Sequence, residues 1–352
     1  MDLLIFDMDG VLVDVSKSYR KTIQRTVRIY LETCLGFERT GRDWVTNEEI
    51  SVFKSTGGFN NDWDLTSGVL LYLLYLSHIP PLQRRKTFSS IPETADYLKL
   101  RSSAIHPKAA IQIKKKNLLS FLGKVRKEGG GLRGVHRLLG NSWEGWVYRS
   151  GDLDRENLIK RIFQEIYLGE KFTARYHLPP LFHKGNGLYL QEKILIHKKI
   201  LESLRKKNRM GIASGRPRFE AELALKRFGL RPYFESVVTL DECEEEENHI
   251  FRSIGKRIKC SKPNPYSILR TVQEIGVSNP RCGYVGDTVD DMQAARAAKK
   301  DLSVLAIGFI SGHQNKKAAR ELLFRAGADL VIQNPKELLC LISRDLRPLG
   351  RP

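Results

Sequence analysis

Short, continuous runs of apolar residues, separated by amphipathic stretches, constrain the fold of this 352-residue chain most strongly. The first run is Leu3–Phe6, and the later runs cover residues 210–213, 236–240, 283–286, 304–308 and 329–332. A continuous apolar run is typical of a strand that is buried on both faces of a parallel sheet. Helical patterns lie between the later runs, at residues 218–228, 265–275 and 291–300. This alternation predicts an α/β fold with a doubly wound, mostly parallel, Rossmann-like sheet.

The alternation of strands and helices stops between residues 16 and 189. Here the patterns are helical, and the clearest of them cover residues 19–35, 65–76 and 153–168. We predict that this segment forms a second, helical domain, which is inserted after the first strand. The α/β core then consists of residues 1–15 and 190–352.

Basic residues are concentrated in residues 99–149, the basic segment, in a chain with a formal net charge of +19. Its acidic residues are only Glu128 and Glu144. Such a segment attracts polyanions or phosphorylated molecules, and it is equally compatible with a solvated insertion. Because few aromatic residues are interleaved with the charges, we expect weak, non-specific attraction at most and no specific nucleic-acid binding.

The cysteines and the apolar segments bear on the compartment. The five cysteines have the spacing neither of a disulfide framework nor of a zinc site. The first seven residues lack the basic start and the cleavage site of a secretory signal. The longest uncharged run, residues 65–83, is interrupted by Pro80 and Pro81 and is too short to cross a bilayer before them. We therefore expect a cytoplasmic protein with no membrane partner.

Two carboxylates follow the first predicted strand directly. In an open parallel sheet, ligands bind at the carboxyl ends of the strands, so residues at these positions are candidates for chemistry. Asp7 and Asp9 are separated by one residue, and Gly10 allows the chain to turn after them. One carboxylate of such a pair can attack an electrophile while the other transfers protons.

Two later loops offer groups that bind anions. Ser214, with the backbone N–H groups of Gly215 and Arg216, stands at a predicted helix start and suits a phosphoryl oxygen. Lys262, in the sequence Ser-Lys-Pro-Asn-Pro, offers a cation that can balance the charges of a phosphate and a nucleophile. A helix-capping serine and a surface lysine are the alternative interpretations.

Further carboxylates follow the predicted strand at residues 283–286. Asp287 and Asp291, with Asp290 beside the latter, are hard oxygen ligands of the kind that holds Mg²⁺. Acidic residues at a helix start are also favoured by the helix dipole, and this alternative applies best to Asp290. We predict Asp287 and Asp291 as metal-site residues, ahead of Asp290.

In combination and in this order, the motifs resemble the haloacid dehalogenase superfamily. They are Asp-Met-Asp-Gly-Val at residues 7–11, Ser at 214, Lys-Pro at 262–263 and Gly-Asp-x-x-x-Asp at 286–291. The resemblance implies that Asp7 is the nucleophile, which forms an aspartyl-phosphate, and that Asp9 is the general acid and base. It adds Ser214 and Lys262 as catalytic residues. The dehalogenase branch lacks the second aspartate, so the presence of Asp9 argues against dehalogenation.

The resemblance also implies a metal, a cap domain and a class of substrate. Mg²⁺ would be held by the Asp7 carboxylate, the Asp9 carbonyl, Asp287 and Asp291. The helical insertion resembles the C1 cap of a poorly characterised branch of subfamily IA, which implies a small soluble substrate. Further candidates for substrate contact are Gly215, Arg216, Arg20 and Asn61. Arg20 also suits the packing and solvation of a cap helix, and in the loop of Asn61 the alternative is that Asp62 or Asp64 is simply the N-cap of the apolar helix that follows.

The sequence thus predicts a Mg²⁺-dependent phosphatase that hydrolyses a small phosphomonoester through a covalent aspartyl-phosphate on Asp7. The resemblance implies phosphoglycolate, a sugar phosphate and histidinol phosphate as candidate substrates. A phosphomutase would use the same residues, and a non-enzymatic nucleic-acid or regulatory binding protein on the same fold is the alternative from another class. The sequence leaves the oligomeric state open.

Overall fold

The structure, a computed structural model, describes all residues except 40, 60, 83–85, 106–116, 314 and 344–352. The chain divides into two compact units. Met1–Val15 and Lys193–Pro352 form the first, which we call the α/β unit, and Ser16–Glu192 forms the second, the helical unit.

A parallel sheet of six strands organises the described part of the α/β unit, as the sequence predicts. In chain order, the strands of the unit are β1 (Leu3–Phe6), β2 (Val13–Asp14), β3 (Lys193–Ile194), β4 (Arg209–Ala213), β5 (Ser236–Val238), β6 (Arg281–Gly286), β7 (Ser303–Phe309) and β8 (Leu330–Ile332). The order across the sheet is β5-β4-β1-β6-β7-β8, and every neighbouring pair is parallel. Strand β1 is therefore central, with Phe6 in register with Ile212 and Val285.

Helices connect the strands and cover the sheet. They are α9 (Lys198–Arg205), α10 (Arg218–Phe228), α11 (Leu240–Ile254), α12 (Tyr266–Ile275), α13 (Val289–Ala298), α14 (Lys316–Ala326) and α15 (Glu337–Ser343), with a 3₁₀ turn at Arg231–Tyr233. Helix α12 packs on β4 and β5, α13 on β6 and β7, and α14 on β7 and β8. The core between them is made of fully buried side chains such as Ile5, Tyr284 and Met292. Burial of this apolar surface is the main driving force for the fold.

The predicted element at residues 236–240 is too long. Strand β5 ends at Val238, because Thr239 is the N-cap of α11, whose bounds the sequence patterns did not indicate. The backbone N–H and the hydroxyl of Thr239 both donate to Glu242, at 2.6 Å each, which forms a capping box. The two-residue antiparallel pair of β2 and β3 was also not predicted.

The helical unit contains α1 (Tyr19–Ile29), α2 (Asn47–Lys54), α3 (Asp62–Leu76), α4 (Ile91–Ile105), α5 (Leu118–Lys127), α6 (Gly131–Leu139), α7 (Leu158–Leu168) and α8 (Lys171–Tyr176). Short 3₁₀ segments lie at Asn141–Gly145 and Leu188–Gln191. The apolar run after residue 65 is the buried helix α3, and no helix among the described residues is long and apolar enough to cross a membrane. Tyr19 of α1 stacks on Tyr167 of α7, with ring centroids 4.5 Å apart.

Two predicted helices of this unit have different bounds in the structure. The helix predicted at residues 19–35 is α-helical only to Ile29 and continues as a π-helix at Tyr30–Cys34. The helix predicted at 153–168 begins at Leu158, because the Asn157 side chain accepts a hydrogen bond from the backbone N–H of Lys160 and caps it there. The basic segment includes the end of α4 together with α5 and α6, while Lys108 and the lysines at 114–116 lie outside the described residues.

A buried carboxylate organises one loop of the helical unit. Glu165 of α7 pairs with Arg161 at 2.5 Å, and both side chains are almost fully buried. The other oxygen of Glu165 accepts hydrogen bonds from the backbone N–H groups of Leu181, Phe182 and His183, at 2.9, 2.6 and 3.0 Å. These bonds satisfy three backbone donors that no helix or strand serves.

Candidate active site

Asp7 lies at the carboxyl end of the central strand. Its backbone N–H donates to the carbonyl of Val285 at 2.8 Å, which extends the pairing of β1 with β6 by one residue. The side chain is buried, with 6% of the residue exposed. After Asp7 the chain turns, and the N–H groups of Leu12 and Val13 both donate to the carbonyl of Met8 at 2.9 Å. The sheet and the turn together fix the direction of the Asp7 carboxylate.

Gly10 is required in this turn for two reasons. Its φ of +76° lies in the left-handed region, which residues other than glycine rarely adopt. A Cβ at this position would also lie 2.1 Å from Oδ2 of Asp287. The turn after β1 therefore approaches the carboxylate of Asp287 too closely for any residue but glycine.

Lys262 connects two carboxylates from different parts of the chain. Its Nζ lies 2.7 Å from Oδ1 of Asp7 and 2.7 Å from Oδ1 of Asp291. The Lys262 side chain is 12% exposed, so both ion pairs are shielded from water. Lys262 precedes α12, and its peptide bond to Pro263 is cis. The cation thus faces the residue that the sequence predicts as nucleophile.

The Asp291 carboxylate accepts hydrogen bonds from five donors, of which the Lys262 ammonium is one. Its Oδ1 accepts from Lys262 and from the Tyr284 hydroxyl, each at 2.7 Å. Its Oδ2 accepts from the Thr288 hydroxyl at 2.6 Å and from the backbone N–H groups of Thr288 and Asp287, at 3.0 and 3.2 Å. These bonds make Asp291 part of the capping box of α13, and both of its oxygens already act as acceptors.

The donor set fits a divalent cation with a preference for oxygen. Asp7, Asp287 and Asp291 each place a carboxylate oxygen within 4.8 Å of the others. Clustered carboxylates of this kind suit Mg²⁺, which takes hard oxygen ligands. Because Asp291 already accepts bonds at both oxygens, Asp7 and Asp287 are better suited to touch the ion directly, with Asp291 behind them. Asp290 stays a predicted alternative.

The loop after β4 contributes a serine and an arginine. Ser214 is buried, its N–H donates to the carbonyl of Val238 at 2.9 Å, and its Oγ accepts from the backbone N–H of Arg216 at 3.2 Å. The Arg216 side chain is fully buried, and its Nε donates to Oδ1 of Asp9 at 2.5 Å. Gly215 between them is exposed. Arg216 was predicted to contact substrate, and its observed partner is the candidate proton-transfer residue.

Arg20 and Asn61, the two remaining candidates, belong to the helical unit. Arg20 lies in the first turn of α1 and is half-buried. Asn61 is the N-cap of α3, where its side-chain oxygen accepts from the backbone N–H of Asp64 at 2.7 Å. The capping role that the sequence suggested for this loop therefore belongs to Asn61 rather than to Asp62 or Asp64. Substrate contact by Arg20 and Asn61 stays a prediction.

Burial and charge determine the protonation of the three central groups. Burial raises the pKa of Asp7 to about 7, although the Lys262 ammonium acts in the opposite direction. Burial acts likewise on Asp291, but Lys262 and the hydrogen bonds to this carboxylate hold its pKa below the usual value. Burial opposes the charge of Lys262, yet Asp291 and Asp7 raise its pKa well above the ordinary value. Near neutral pH, Lys262 and Asp291 are thus charged, and Asp7 is the group that exchanges a proton.

This raised pKa predicts how stability depends on pH. Unfolded Asp7 titrates near its ordinary pKa of about 3.9, so between about pH 4 and 7 the folded, metal-free protein retains a proton that the unfolded chain loses. The stability from this proton is therefore lost progressively as the pH rises from about 4, and the loss is complete once the pH has passed about 7. Since Asp7→Asn stays neutral, its melting temperature relative to wild type should rise from pH 4.5 to 7 and level off above it. Thermal melts in chelator test this, and a pH-independent difference would contradict it.

Three residues around the carboxylates were missed by sequence reasoning. Tyr284 lies within β6 and Thr288 caps α13, and both donate to Asp291. The spacing Thr-x-x-Asp at 288–291 is a capping signal that could have indicated Thr288. His313 follows β7, and its Nε2 lies 3.0 Å from the backbone carbonyl of Asp287. No pattern in the sequence distinguishes Tyr284 or His313 from core and loop residues.

Known proteins resemble this chain in sequence and in fold. Residues 190–299 match the family model described as haloacid dehalogenase-like hydrolase. A phosphoglycolate phosphatase of Xylella fastidiosa is 32% identical over 105 residues, which are 30% of this chain and 39% of that protein. An imidazoleglycerol-phosphate dehydratase of Phytophthora nicotianae is 23% identical over 339 residues, which are 94% of this chain and 49% of that protein.

An N-acetylmuramic acid 6-phosphate phosphatase of Pseudomonas aeruginosa is 24% identical over 136 residues, 39% of this chain and 50% of that protein. The chain thus spans about half the length, or less, of these curated relatives. Among solved structures, a target of the Northeast Structural Genomics Consortium aligns over 97% of this chain and 98% of its own, with a TM-score of 0.61 at 21% identity. At that identity, the likeness shows a shared fold.

Proposed function

We propose that the protein is a phosphatase acting on a small phosphomonoester, with Asp7 as its nucleophile, because residues 190–299 match the haloacid dehalogenase-like hydrolases. The observation that carries the proposal is the pair of 2.7 Å contacts that Lys262 makes with Asp7 and Asp291 at the carboxyl edge of the sheet. A buried cation beside a buried carboxylate lets that carboxylate approach an anionic substrate.

The reaction proceeds in two displacements on phosphorus. In the first, a carboxylate oxygen of Asp7 forms a bond to phosphorus while the bond to the substrate's alcohol oxygen breaks, and Asp9 gives its proton to the departing alkoxide. In the second, Asp9 takes a proton from water, whose oxygen attacks phosphorus and releases phosphate from Asp7. Only after both steps is the chain as it began, with Asp7 ionised and Asp9 protonated.

The remaining groups of the site hold the phosphoryl oxygens and the carboxylates. Ser214 and the exposed backbone of Gly215 suit a phosphoryl oxygen at the start of the loop after β4. Lys262 offsets the charge of Asp7 and of the approaching phosphate. Arg216 orients the Asp9 carboxylate through the hydrogen bond from its Nε to Oδ1 of Asp9. Arg216 then acts through Asp9 and is a positioning residue.

Mg²⁺ fits the carboxylate cluster, where the carboxylates of Asp7 and Asp287 and the backbone carbonyl of Asp9 would hold it directly, with Asp291 behind them. When bound, the ion supplies charge neutralisation at the phosphoryl oxygens and orientation for in-line attack. In its absence, the like charges of the cluster are offset by Lys262 and by a proton on Asp7, which is consistent with the raised pKa of that group.

The substrate class follows from the proposed chemistry and from the relatives. The curated relatives include two phosphatases of small phosphomonoesters, and the dehydratase is named for a substrate that carries an imidazole and a phosphate. Phosphoglycolate, sugar phosphates and imidazole-containing phosphomonoesters such as histidinol phosphate are therefore the first to test. A cytoplasmic location and non-specific attraction of polyanions by the basic segment belong to the same proposal.

The direct test measures phosphate release from such a panel by the full-length protein, with Mg²⁺ and with excess chelator. We expect release from at least one phosphomonoester, loss of release in chelator and recovery with Mg²⁺, while Ca²⁺ supports it poorly because its coordination is looser. Transfer of the phosphoryl group between positions of the substrate without free phosphate would identify a phosphomutase instead. No reaction with any member, together with tight nucleic-acid binding at physiological salt, would favour the binding-protein alternative.

A change at Asp9 separates the two displacements. Asp9→Asn removes the proton-transfer group and leaves Asp7 in place, so we expect turnover to fall by about 10²–10⁴-fold, the usual contribution of a general acid and base. Substrates with a good leaving group, such as an aryl phosphate, should still phosphorylate Asp7, and the phosphorylated protein should accumulate. Intact-protein mass spectrometry during turnover measures it. Unchanged turnover in this variant would contradict the role of Asp9.

A further inference from the structure

Asp287 is held through its backbone from two directions. Its N–H donates to Oδ2 of Asp291 at 3.2 Å, from the first turn of α13. Its carbonyl lies 3.0 Å from Nε2 of His313, which comes from the segment that follows β7. We propose that His313 is a positioning residue for Asp287 and thereby sets the affinity of the site for Mg²⁺. This inference rests on the proposed function, because it takes Asp287 as a ligand of the ion.

The geometry determines the role of the histidine. A carbonyl oxygen can only accept a hydrogen bond, so Nε2 of His313 must carry the proton and donate it to Asp287. The same nitrogen lies 3.7 Å from Oδ2 of Asp287, which is beyond hydrogen-bond distance. His313 therefore holds the main chain of Asp287 through the hydrogen bond to its carbonyl, while the Asp287 carboxylate lies near those of Asp7 and Asp291.

The position of Asp287 has little tolerance. Its Oδ2 occupies the space where a side chain of Gly10 would begin, and its carboxylate must lie near that of Asp7. Oδ2 of Asp291 accepts from the backbone N–H of Asp287 and also from the N–H and the hydroxyl of Thr288. Because three donors share this oxygen, the bond from Asp287 holds its backbone only weakly. The bond from His313 fixes the other side of the same residue. Loss of such an outer contact at metal sites typically weakens metal affinity by about 10–100-fold.

A merely structural role for His313 makes a different prediction. If the histidine only tied the segment after β7 to the loop before α13, its removal would lower the stability of the metal-free protein and leave the affinity of the folded site unchanged. If it positions Asp287, metal affinity falls while the metal-free protein melts close to wild type. The His313 side chain is 28% exposed, so its truncation does not leave a cavity as large as a core substitution does. The loss of stability from the truncation itself should therefore be small.

The experiment compares full-length His313→Ala and His313→Gln with wild type. Mg²⁺ is titrated into each chelator-treated protein by isothermal titration calorimetry, and melting temperatures are recorded with and without Mg²⁺. We expect a dissociation constant about 10–100-fold weaker for His313→Ala, with a smaller gain in melting temperature on adding Mg²⁺. Glutamine can donate from its own side-chain nitrogen, so His313→Gln should recover much of the affinity.

The control is His249→Ala, which changes an exposed histidine in α11 of the same unit and should bind Mg²⁺ like wild type. An unchanged dissociation constant in His313→Ala would overturn the inference. So would a weaker constant that is accompanied by an equally lowered metal-free melting temperature and no recovery with glutamine. If wild type itself bound no Mg²⁺, the titration would contradict the metal requirement of the proposed function. That result is distinct from an effect of His313, which is measured relative to wild type.

Discussion

Replacing Asp7 with asparagine is expected to abolish phosphate release, with a loss on the order of 10⁶-fold, as when a covalent nucleophile is removed from another hydrolase. The amide oxygen is a poor nucleophile and cannot form the acyl phosphate, so no alternative route passes through residue 7. The substitution should not unfold the protein, because asparagine has the shape of the protonated carboxyl that burial already favours. Phosphate release by the purified variant on the best substrate of the panel is the measurement.

A matched control for this variant is Asp301→Asn, which makes the same chemical change at an exposed turn residue after α13. It should turn over like wild type. The variant Asp7→Ala gives a second measure, because it cannot regain a carboxylate by deamidation. Activity within tenfold of wild type in either Asp7 variant would end the assignment of Asp7 as nucleophile.

Replacing Lys262 with methionine is expected to reduce both turnover and stability. The buried carboxylates of Asp7 and Asp291 would face each other without the cation between them, and Asp7 would hold its proton more tightly. We expect turnover to fall by about 10²–10³-fold, the cost of one preorganised electrostatic partner of the transition state. We expect a destabilisation of about 3 kcal/mol, at the low end for a broken buried pair, because protonation of Asp7 relieves part of the repulsion.

Lys259→Met is the control for this change, three residues earlier in the same segment. Lys259 also forms an ion pair, with Glu247 at 2.9 Å, but its side chain is 65% exposed. Exposed pairs contribute about 0–1 kcal/mol, so this variant should keep its activity and nearly all its stability. Urea unfolding and turnover at a temperature well below the melting point separate the two effects. Wild-type turnover in a folded Lys262→Met protein would exclude the proposed role of the cation.

The sequence predicted the sheet because its evidence is local. Strands β1, β4, β6 and β7 are continuous apolar runs, and a parallel arrangement follows from the helices between them. The same topology explains why residues far apart in the sequence could be proposed as neighbours. Asp7 and Lys262 are separated by 255 positions. Asp7 directly follows β1 and Lys262 precedes α12, and both lie at the carboxyl edge of the same sheet. Strand-end position is therefore readable from sequence.

Side-chain direction is not readable in this way. The spacing of Asp291 from Asp287 predicts a metal-site residue. In the structure its two oxygens accept hydrogen bonds from five donors, an arrangement that depends on side-chain rotamers at the start of α13. Arg216 was predicted to contact substrate, and its turn back to Asp9 depends on a contact across 207 positions. The bond from His313 to Asp287 likewise requires the exact course of a loop. These choices are made by packing and by the satisfaction of buried polar groups.

The buried carboxylate of Glu165 has a consequence for how the helical unit comes apart. It holds the N–H groups of residues 181–183, so the order of that loop depends on an acceptor that belongs to α7. If α7 frays, three backbone donors lose their partner at once, and if the loop detaches, a buried ion pair loses its other contacts. The loop and the helix therefore form one cooperative element, and neither can open locally at low cost while the other stays folded.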